Sequence, residues 1–214
     1  MKRKHIPILL GLVLIATGGF VACYPGGPTT ADDRDLVVTV FDQNADFGTF
    51  RSYAMPDEII LREGSDDISE EAGTFILGEV AKNMAQLGYR RELNPEQNGA
   101  DVVVLVAANR STNYVAWTDW GWGGWGGWGG WGYWPGYGPG WGIGYPWVSV
   151  SSYETGSVFV SMVDPNNPDT GQQQIPAVWG ASINGLLGST AGNQAFITQT
   201  VDQAFRQSPY LGAR

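Results

Sequence analysis

The feature that most restricts the fold of this chain is a stretch of 31 residues, Trp117 to Trp147, with 13 Gly, nine Trp, three Tyr and three Pro. Within GWGGWGGWGGWG, Trp recurs at every third position, which is the period of a polyproline II spiral and of neither a helix nor a strand. Glycine at this density equally favours a disordered, collapsed loop. We therefore predict a Gly/Trp-rich insertion loop. Its Trp side chains are candidates for contact with a ligand or a membrane: Trp117, Trp120, Trp122, Trp125, Trp128, Trp131 and Trp134.

The amino terminus has the three parts of a secretory signal. Residues 2–4 are basic, residues 6–16 form an apolar run too short to cross a bilayer, and Phe20-Val21-Ala22 precedes Cys23. An apolar residue at −3 and a Cys directly after the cut are typical of a lipoprotein signal, whereas an ordinary signal peptidase prefers a small residue where Phe20 stands. We predict that residues 1–22 are a lipoprotein signal peptide and that Cys23 carries the lipid. The alternative is an ordinary leader with a spare thiol.

The segment after the predicted cut indicates how the protein is held. Residues 23–36 are rich in Pro, Gly and Asp, which predicts a lipidated Cys followed by a flexible tether. The predicted partner is thus the lipid bilayer, reached through the Cys23 anchor, and two or three acyl chains make such an anchor stable. Tyr24 follows the anchor instead of the Asp that is typical of inner-membrane retention. We therefore expect a protein of the cell envelope, with the outer membrane favoured over the inner membrane.

The charge balance narrows the choice of partners. The whole chain has 12 basic and 21 acidic residues, and the predicted leader holds three of the basic ones and none of the acidic ones. The mature chain would therefore carry nine basic against 21 acidic residues, a net charge of −12. Binding to phosphate backbones requires basic patches, so nucleic acid is excluded as a predicted partner.

Apolar periodicity predicts a single α+β domain over residues 37–210, with the Gly/Trp-rich insertion at about 117–147. The predicted strands are Leu36–Phe41, Thr49–Met55, Ala100–Ala108, Ser157–Val163 and Ala177–Ile183. One helix is predicted at 67–88, opened by a capping box of Asp67 and Glu70 and stopped at Gly88, and a second at 192–207. This order predicts a mixed, mostly antiparallel sheet with two helices packed on one face.

Several kinds of chemistry are excluded by the residue types present. His5 is the only histidine and Cys23 the only cysteine, so the mature chain lacks catalytic His and Cys residues and the usual zinc ligands. We predict no enzyme activity, no cofactor, no catalytic residue and no metal site. A carboxylate-dependent hydrolase is the alternative, with candidates Asp66, Asp67, Glu70 and Glu71. These residues equally fit an acidic helix start, and Asp164 with Asp169 fits a turn better than a calcium loop.

Short motifs along the domain resemble those of a known family. They are Ala45-Asp46-Phe47 with Phe50, Ser52, Tyr53 and Ala54, then Leu87-Gly88-Tyr89, Ala100 to Val104, Gly156 to Val160 ending in Asp164, and Val178-Trp179-Gly180. In this order they resemble the family called domain of unknown function 4136, from about residue 37 to 210. Ser208-Pro209 departs from the closing Phe-Pro of that pattern. The resemblance implies a bacterial envelope lipoprotein with no assigned activity, and it transfers no catalytic residues.

Four functional interpretations follow. The leading one is a lipid-anchored, non-enzymatic bacterial cell-envelope protein that binds or supports another envelope component, because exposed apolar patches and Trp side chains mark interaction sites. The second is a protein that binds glycan or peptidoglycan by stacking Trp rings on sugar rings. In the third, the Trp side chains enter the membrane interface, where indoles concentrate. In the fourth, the segment is a low-complexity insertion without a dedicated partner.

Overall fold

The computed structural model describes five stretches of the chain, residues 37–61, 68–109, 141–147, 156–186 and 193–212. Within them the strands are β1 Val37–Phe41, β2 Ser52–Ala54, β3 Ile60–Leu61, β4 Arg90–Arg91, β5 Val102–Asn109, β6 Gly142–Gly144, β7 Ser157–Val163 and β8 Gln174–Ile183. The helices are α1 Glu70–Gln86, α2 Pro95–Asn98 and α3 Gln194–Arg206, with short 3-10 turns at Phe47–Thr49 and Pro209–Leu211. The helices in these stretches are all too short or too polar to span a bilayer.

The strands form one mixed sheet, which confirms the predicted α+β class. Its order is β1-β8-β7-β5-β2-β4, with β3 beside β5 and β6 beside β8. The four longest strands pair antiparallel, β1 with β8, β8 with β7 and β7 with β5. The short strands β2, β3, β4 and β6 add parallel pairings to this antiparallel centre.

The centre of the sheet is apolar on both faces, as the sequence of β5 requires. Its run VVVLVAA has no polar side chain to turn toward water, which is typical of a strand covered on both sides. Val102, Val104 and Val106 belong to the cluster that includes the helices, on the side of the sheet that we call the first face. The alternate side chains, Val103, Leu105 and Ala107, belong to a second cluster on the opposite face, which we call the second face.

Helices α1 and α3 pack on the first face, as predicted. Their apolar stripes are fully buried there, through Ile76, Val80 and Met84 of α1 and Ile197, Val201 and Ala204 of α3. The helices also contact each other through polar groups, since Asn83 Nδ2 donates a hydrogen bond of 2.8 Å to Asp202 Oδ1. The two stripes read from the sequence therefore become one core.

The start of α1 differs from the predicted one. The helix begins at Glu70, and its N-cap is Ser69, whose Oγ accepts a hydrogen bond of 3.2 Å from the Ala72 amide. Ser69 satisfies an amide that would otherwise lack a partner, which is the role predicted for Asp67 from the sequence. Asp67 itself lies outside the described residues. The predicted stop is confirmed, because Gly88 has φ +94° and its amide donates to Ala85 O.

Candidate functional site

The end of the Gly/Trp-rich segment is anchored in the sheet. Strand β6 runs parallel to β8, with Gly142 beside Gln174 and Gly144 beside Pro176. The Gly142 amide donates a 2.9 Å hydrogen bond to the Gln173 carbonyl, and Gln173 adopts a positive φ of 53° at this turn. The last residues of the segment are thus held by backbone pairing to one of the longest strands of the domain.

The lack of a side chain at one position gives β6 room beside β8. A Cβ atom added to Gly144 would lie 2.7 Å from Gln174 Oε1 and 3.2 Å from Gln174 Cβ. Both distances are shorter than ordinary van der Waals contact. The absence of a side chain at Gly144 therefore lets β6 approach β8 beside the Gln174 side chain.

Three aromatic side chains and one isoleucine project from this anchored stretch onto the second face. Trp141, Ile143, Tyr145 and Trp147 are all partly buried and pack against the second-face cluster. The rings of Tyr145 and Trp147 meet edge to face with centroids 5.7 Å apart, and Tyr145 Oη lies 3.3 Å from Ser161 Oγ. We call Trp141, Tyr145 and Trp147 the aromatic surface. Its rings are fixed on one side and remain partly exposed on the other.

The aromatic surface has a sequence signal different from the triplet repeat. In WGIGYPW, residues 141–147, large apolar residues alternate with Gly and Pro, which is the period of a strand with one buried face. This stretch forms the end of the predicted insertion loop, and its aromatic residues are not among the predicted contacts. The seven predicted contacts, Trp117 to Trp134, and the predicted lipidation site Cys23 lie outside the described residues.

A cluster of hydrogen bonds around Asp101 joins β2 to β5 at the start of both strands. Asp101 Oδ2 accepts hydrogen bonds from the Arg51 amide, the Ser52 amide and Ser52 Oγ at 2.8, 2.8 and 2.9 Å. Burial alone would raise the pKa of Asp101, but these hydrogen bonds and the Arg51 charge outweigh it and hold the pKa below 3.8. The carboxylate of Asp101 is therefore engaged in holding two strands together.

The other carboxylates that the sequence offers as candidates have structural roles where the structure describes them. Glu70 and Glu71 are exposed in the first turn of α1, where negative charge favours the helix dipole. Asp164 Oδ1 accepts from the Asn166 amide, and Asp169 Oδ1 accepts from the amides of Gly171 and Gln172. Burial raises the pKa of Asp164, with a contribution from the charge of Asp101. Asp164 and Asp169 thus form turns, as interpreted from the sequence, while Asp66 and Asp67 lie outside the described residues.

An open groove lies beside the first turn of α1. Its volume is about 330 Å³, and it is lined by Asp57, Glu58, Ile59, Ile68, Ser69, Glu70, Gly73, Thr74 and Leu77. Asp57 is engaged with the Arg91 guanidinium at 2.7 Å. Glu70 is solvent-exposed here and the groove is open to solvent. The groove therefore does not form an enclosed site for acid–base catalysis.

Fold and surface together define an α+β domain that carries its long helices on one sheet face and an aromatic surface on the other. The family model described as "Domain of unknown function (DUF4136)" matches residues 37–210. The crystal structure of a DUF4136 family protein from Bacteroides thetaiotaomicron VPI-5482 is 31% identical, with a TM-score of 0.66, over 84% of this chain and 98% of that chain. The chain therefore belongs to the DUF4136 family, which confirms the resemblance seen in its motifs.

Two other solved structures are more distant. A PDZ domain protein from Parabacteroides distasonis ATCC 8503 is 12% identical with a TM-score of 0.46, over 82% of this chain and 35% of that chain. A PelC dodecamer from Paraburkholderia phytofirmans is 13% identical with a TM-score of 0.41, over 83% of this chain and 97% of that chain. These TM-scores are too low to support an inference. The comparison with curated proteins gave no significant match.

Proposed function

We propose that this protein is a lipid-anchored, non-enzymatic component of the bacterial cell envelope that binds an envelope glycan through aromatic side chains. The observation that carries the proposal is the aromatic surface, Trp141, Tyr145 and Trp147, whose partly exposed rings are fixed on the sheet by β6. It is continuous in the chain with the seven Trp residues from Trp117 to Trp134. Rings held in place on a rigid strand bind with less loss of conformational freedom than rings on an unsupported loop.

The chemistry of the surface favours a sugar as the partner. An indole ring offers a flat apolar face, which matches the apolar face of a pyranose ring. The only polar side-chain atoms of the aromatic surface are two indole nitrogens and one phenol hydroxyl, so it has no charge with which to select an ionic ligand. A net charge of −12 on the predicted mature chain further disfavours polyanions.

A binding role fits the rest of the domain better than catalysis. The mature chain would contain no histidine, since His5 lies in the predicted leader. Among the described carboxylates, Asp101 binds two backbone amides, and Glu70 and Glu71 are exposed at a helix start. None of these arrangements places a carboxylate pair around an enclosed space, which is what a hydrolase of this type requires.

The predicted anchor supplies the location. Lipid on Cys23 and a tether to residue 36 would hold the domain, which begins with β1 at Val37, close to a membrane. Residence in the outer membrane, favoured by Tyr24, would place the domain next to the polysaccharides of the envelope. Anchor and glycan binding are separate parts of the proposal, because each depends on different residues.

The test is co-sedimentation of the exported chain with purified peptidoglycan sacculi, and affinity electrophoresis in gels that contain a neutral polysaccharide. A variant with Ala at Trp141 and Trp147 that keeps the wild-type far-UV circular dichroism spectrum should lose retention at least about tenfold, because Trp side chains dominate binding energies. Leu93→Ala is the matched control, since Leu93 is 73% exposed and lies outside the aromatic surface. Equal retention of the Trp variant and the wild type would contradict glycan binding. Flotation of a Cys23→Ala form with liposomes would instead indicate a membrane contact.

A further inference from the structure

The two edges of the sheet are built differently. In the strand order, β4 lies at one end and β1 at the other. Strand β4 has two residues, Arg90 and Arg91, and short length with positive charge is a common protection of a sheet edge. Strand β1 has five residues, Val37–Phe41, with the sequence VVTVF and with no charge, Pro or Gly. By the same physical rule, β1 is an edge suited to pairing with another strand.

The direction of the backbone groups of β1 follows from its register with β8. Asp42 N donates to Val178 O at 2.9 Å, in line with the pairings of Val40 with Gly180 and Val38 with Ser182. Because antiparallel pairs alternate, these even-numbered residues direct their amide and carbonyl groups toward β8. The odd-numbered residues of β1 therefore direct theirs outward. Among the described residues, β8 is the only strand that pairs with β1.

The outward groups of β1 are self-complementary. A two-fold axis through Thr39 would place Thr39 opposite Thr39 of a second copy, and Val37 opposite Phe41. Each facing pair could exchange two backbone hydrogen bonds. Thr–Thr and aromatic–β-branched neighbours are both favourable cross-strand pairs, and Phe41 has 40% of its surface exposed. No charge from β1 itself enters this contact, although the predicted mature chain is strongly acidic.

We propose that β1 is a homodimerisation edge, which pairs antiparallel with β1 of a second copy around Thr39 and joins the two sheets into one. The proposal does not depend on glycan binding, because β1 and the aromatic surface are different parts of the domain. An isologous two-fold contact is also the commonest way in which identical chains associate.

The test measures the mass of the exported chain by sedimentation equilibrium, in a Cys23→Ser background so that no lipid anchor contributes. The chain with an unchanged β1 and the Thr39→Val control should both form dimers, because both keep the outward amide at residue 39. Thr39→Pro removes that amide while leaving the bonds to β8, so it should weaken association at least about tenfold with an unchanged far-UV circular dichroism spectrum. A monomeric wild type at about 100 µM, or a dimer unaffected by Thr39→Pro, overturns the proposal.

Cross-linking tests the same geometry without relying on the proline variant. In a hydrogen-bonded antiparallel pair the facing Cα atoms are about 5.5 Å apart, within the range of a disulfide. Thr39→Cys should therefore form a covalent dimer on mild oxidation. Leu93→Cys, at a more exposed position, should remain monomeric at the same concentration. Equal cross-linking of the two variants would show random collision and overturn the proposed pairing.

Discussion

The indole nitrogen of Trp179 donates a 2.9 Å hydrogen bond to Ser208 Oγ, and both residues are completely buried. Ser208 Oγ also accepts a hydrogen bond of 3.3 Å from the Tyr210 hydroxyl. The Trp179 ring packs against Phe205 with centroids 5.3 Å apart. A hydroxyl group thus joins β8 to the residues that follow α3.

Ser208→Ala should destabilise the domain. It would leave the buried Trp179 nitrogen without its acceptor, and an unsatisfied buried polar group costs about 1–3 kcal/mol. Urea denaturation followed by Trp fluorescence measures the free energy of unfolding. Tyr210→Phe is the matched control, because Trp179 keeps its 2.9 Å acceptor when the Tyr210 hydroxyl is removed, and the effect should be smaller. A Ser208→Ala protein as stable as the wild type would contradict this role.

Acid should weaken the domain through Asp101. Folding lowers the pKa of Asp101 below its ordinary value of 3.8, so this carboxylate contributes stability that is present above that pH and is lost as the pH falls through the lowered pKa. Asp101→Asn should therefore flatten the dependence of the melting temperature on pH below about 4. Asp57→Asn is the control, since the Asp57 side chain is 87% exposed and its ion pair with Arg91 contributes little. An unchanged slope in Asp101→Asn would argue against this linkage.

Gly144→Ala should loosen β6 without unfolding the domain. The added Cβ would lie 2.7 Å from Gln174 Oε1, which can rotate away, and 3.2 Å from Gln174 Cβ, which cannot, so the two strands must separate by a few tenths of an ångström. Hydrogen exchange at the Gly142 amide, which donates to Gln173, should become at least about tenfold faster.

Gly78→Ala is the control for Gly144→Ala, because it adds the same methyl group at a position where no atom is close. Nothing lies within 4 Å of a Cβ at Gly78, which is exposed within α1, and Ala favours a helix by about 1 kcal/mol over Gly. This variant should raise the melting temperature and leave exchange at Gly142 unchanged. Equal exchange rates in Gly144→Ala and the wild type would contradict the tight approach of β6.

Lipid attachment should depend on Cys23 alone. Cells fed an alkyne fatty acid should label the wild-type protein, and Cys23→Ala should abolish the label because it removes the only thiol in the chain. Membrane fractionation of the labelled cells then distinguishes outer from inner membrane. Label that persists in Cys23→Ala, or a wild type without label, would contradict the lipoprotein signal.

The parts of the fold with a long periodic pattern were predictable from the sequence. The bounds of β7, Ser157–Val163, agree with the prediction, and the stripes of α1 and α3 identify the helix core. Strands β3 and β4 have two residues each and show no period. They form because tertiary contacts bring them beside β5 and β2, and no local propensity encodes those contacts.

The candidate site was only partly predictable for a different reason. The triplet repeat of Trp dominates the Gly/Trp-rich segment and obscures the change to period two at Trp141. The same difficulty affected the start of α1, where Asp67 and Ser69 both suit an N-cap and the choice depends on where the first turn meets the core. In both cases two local signals overlap, and tertiary packing selects between them.

The difference between the two edge strands, β1 and β4, limits how many copies of the chain can join. A strand edge that accepts another strand can in principle add chains without end, which is how fibrils form. Here pairing through β1 would use the uncharged edge of both copies and leave Arg90 and Arg91 at each outer end of the joined sheet. An edge of only two residues offers too few free backbone groups to hold a further strand, so the assembly would terminate at two copies. Finite size would then be a property of the short β4 edge, independent of how strongly the β1 edges bind.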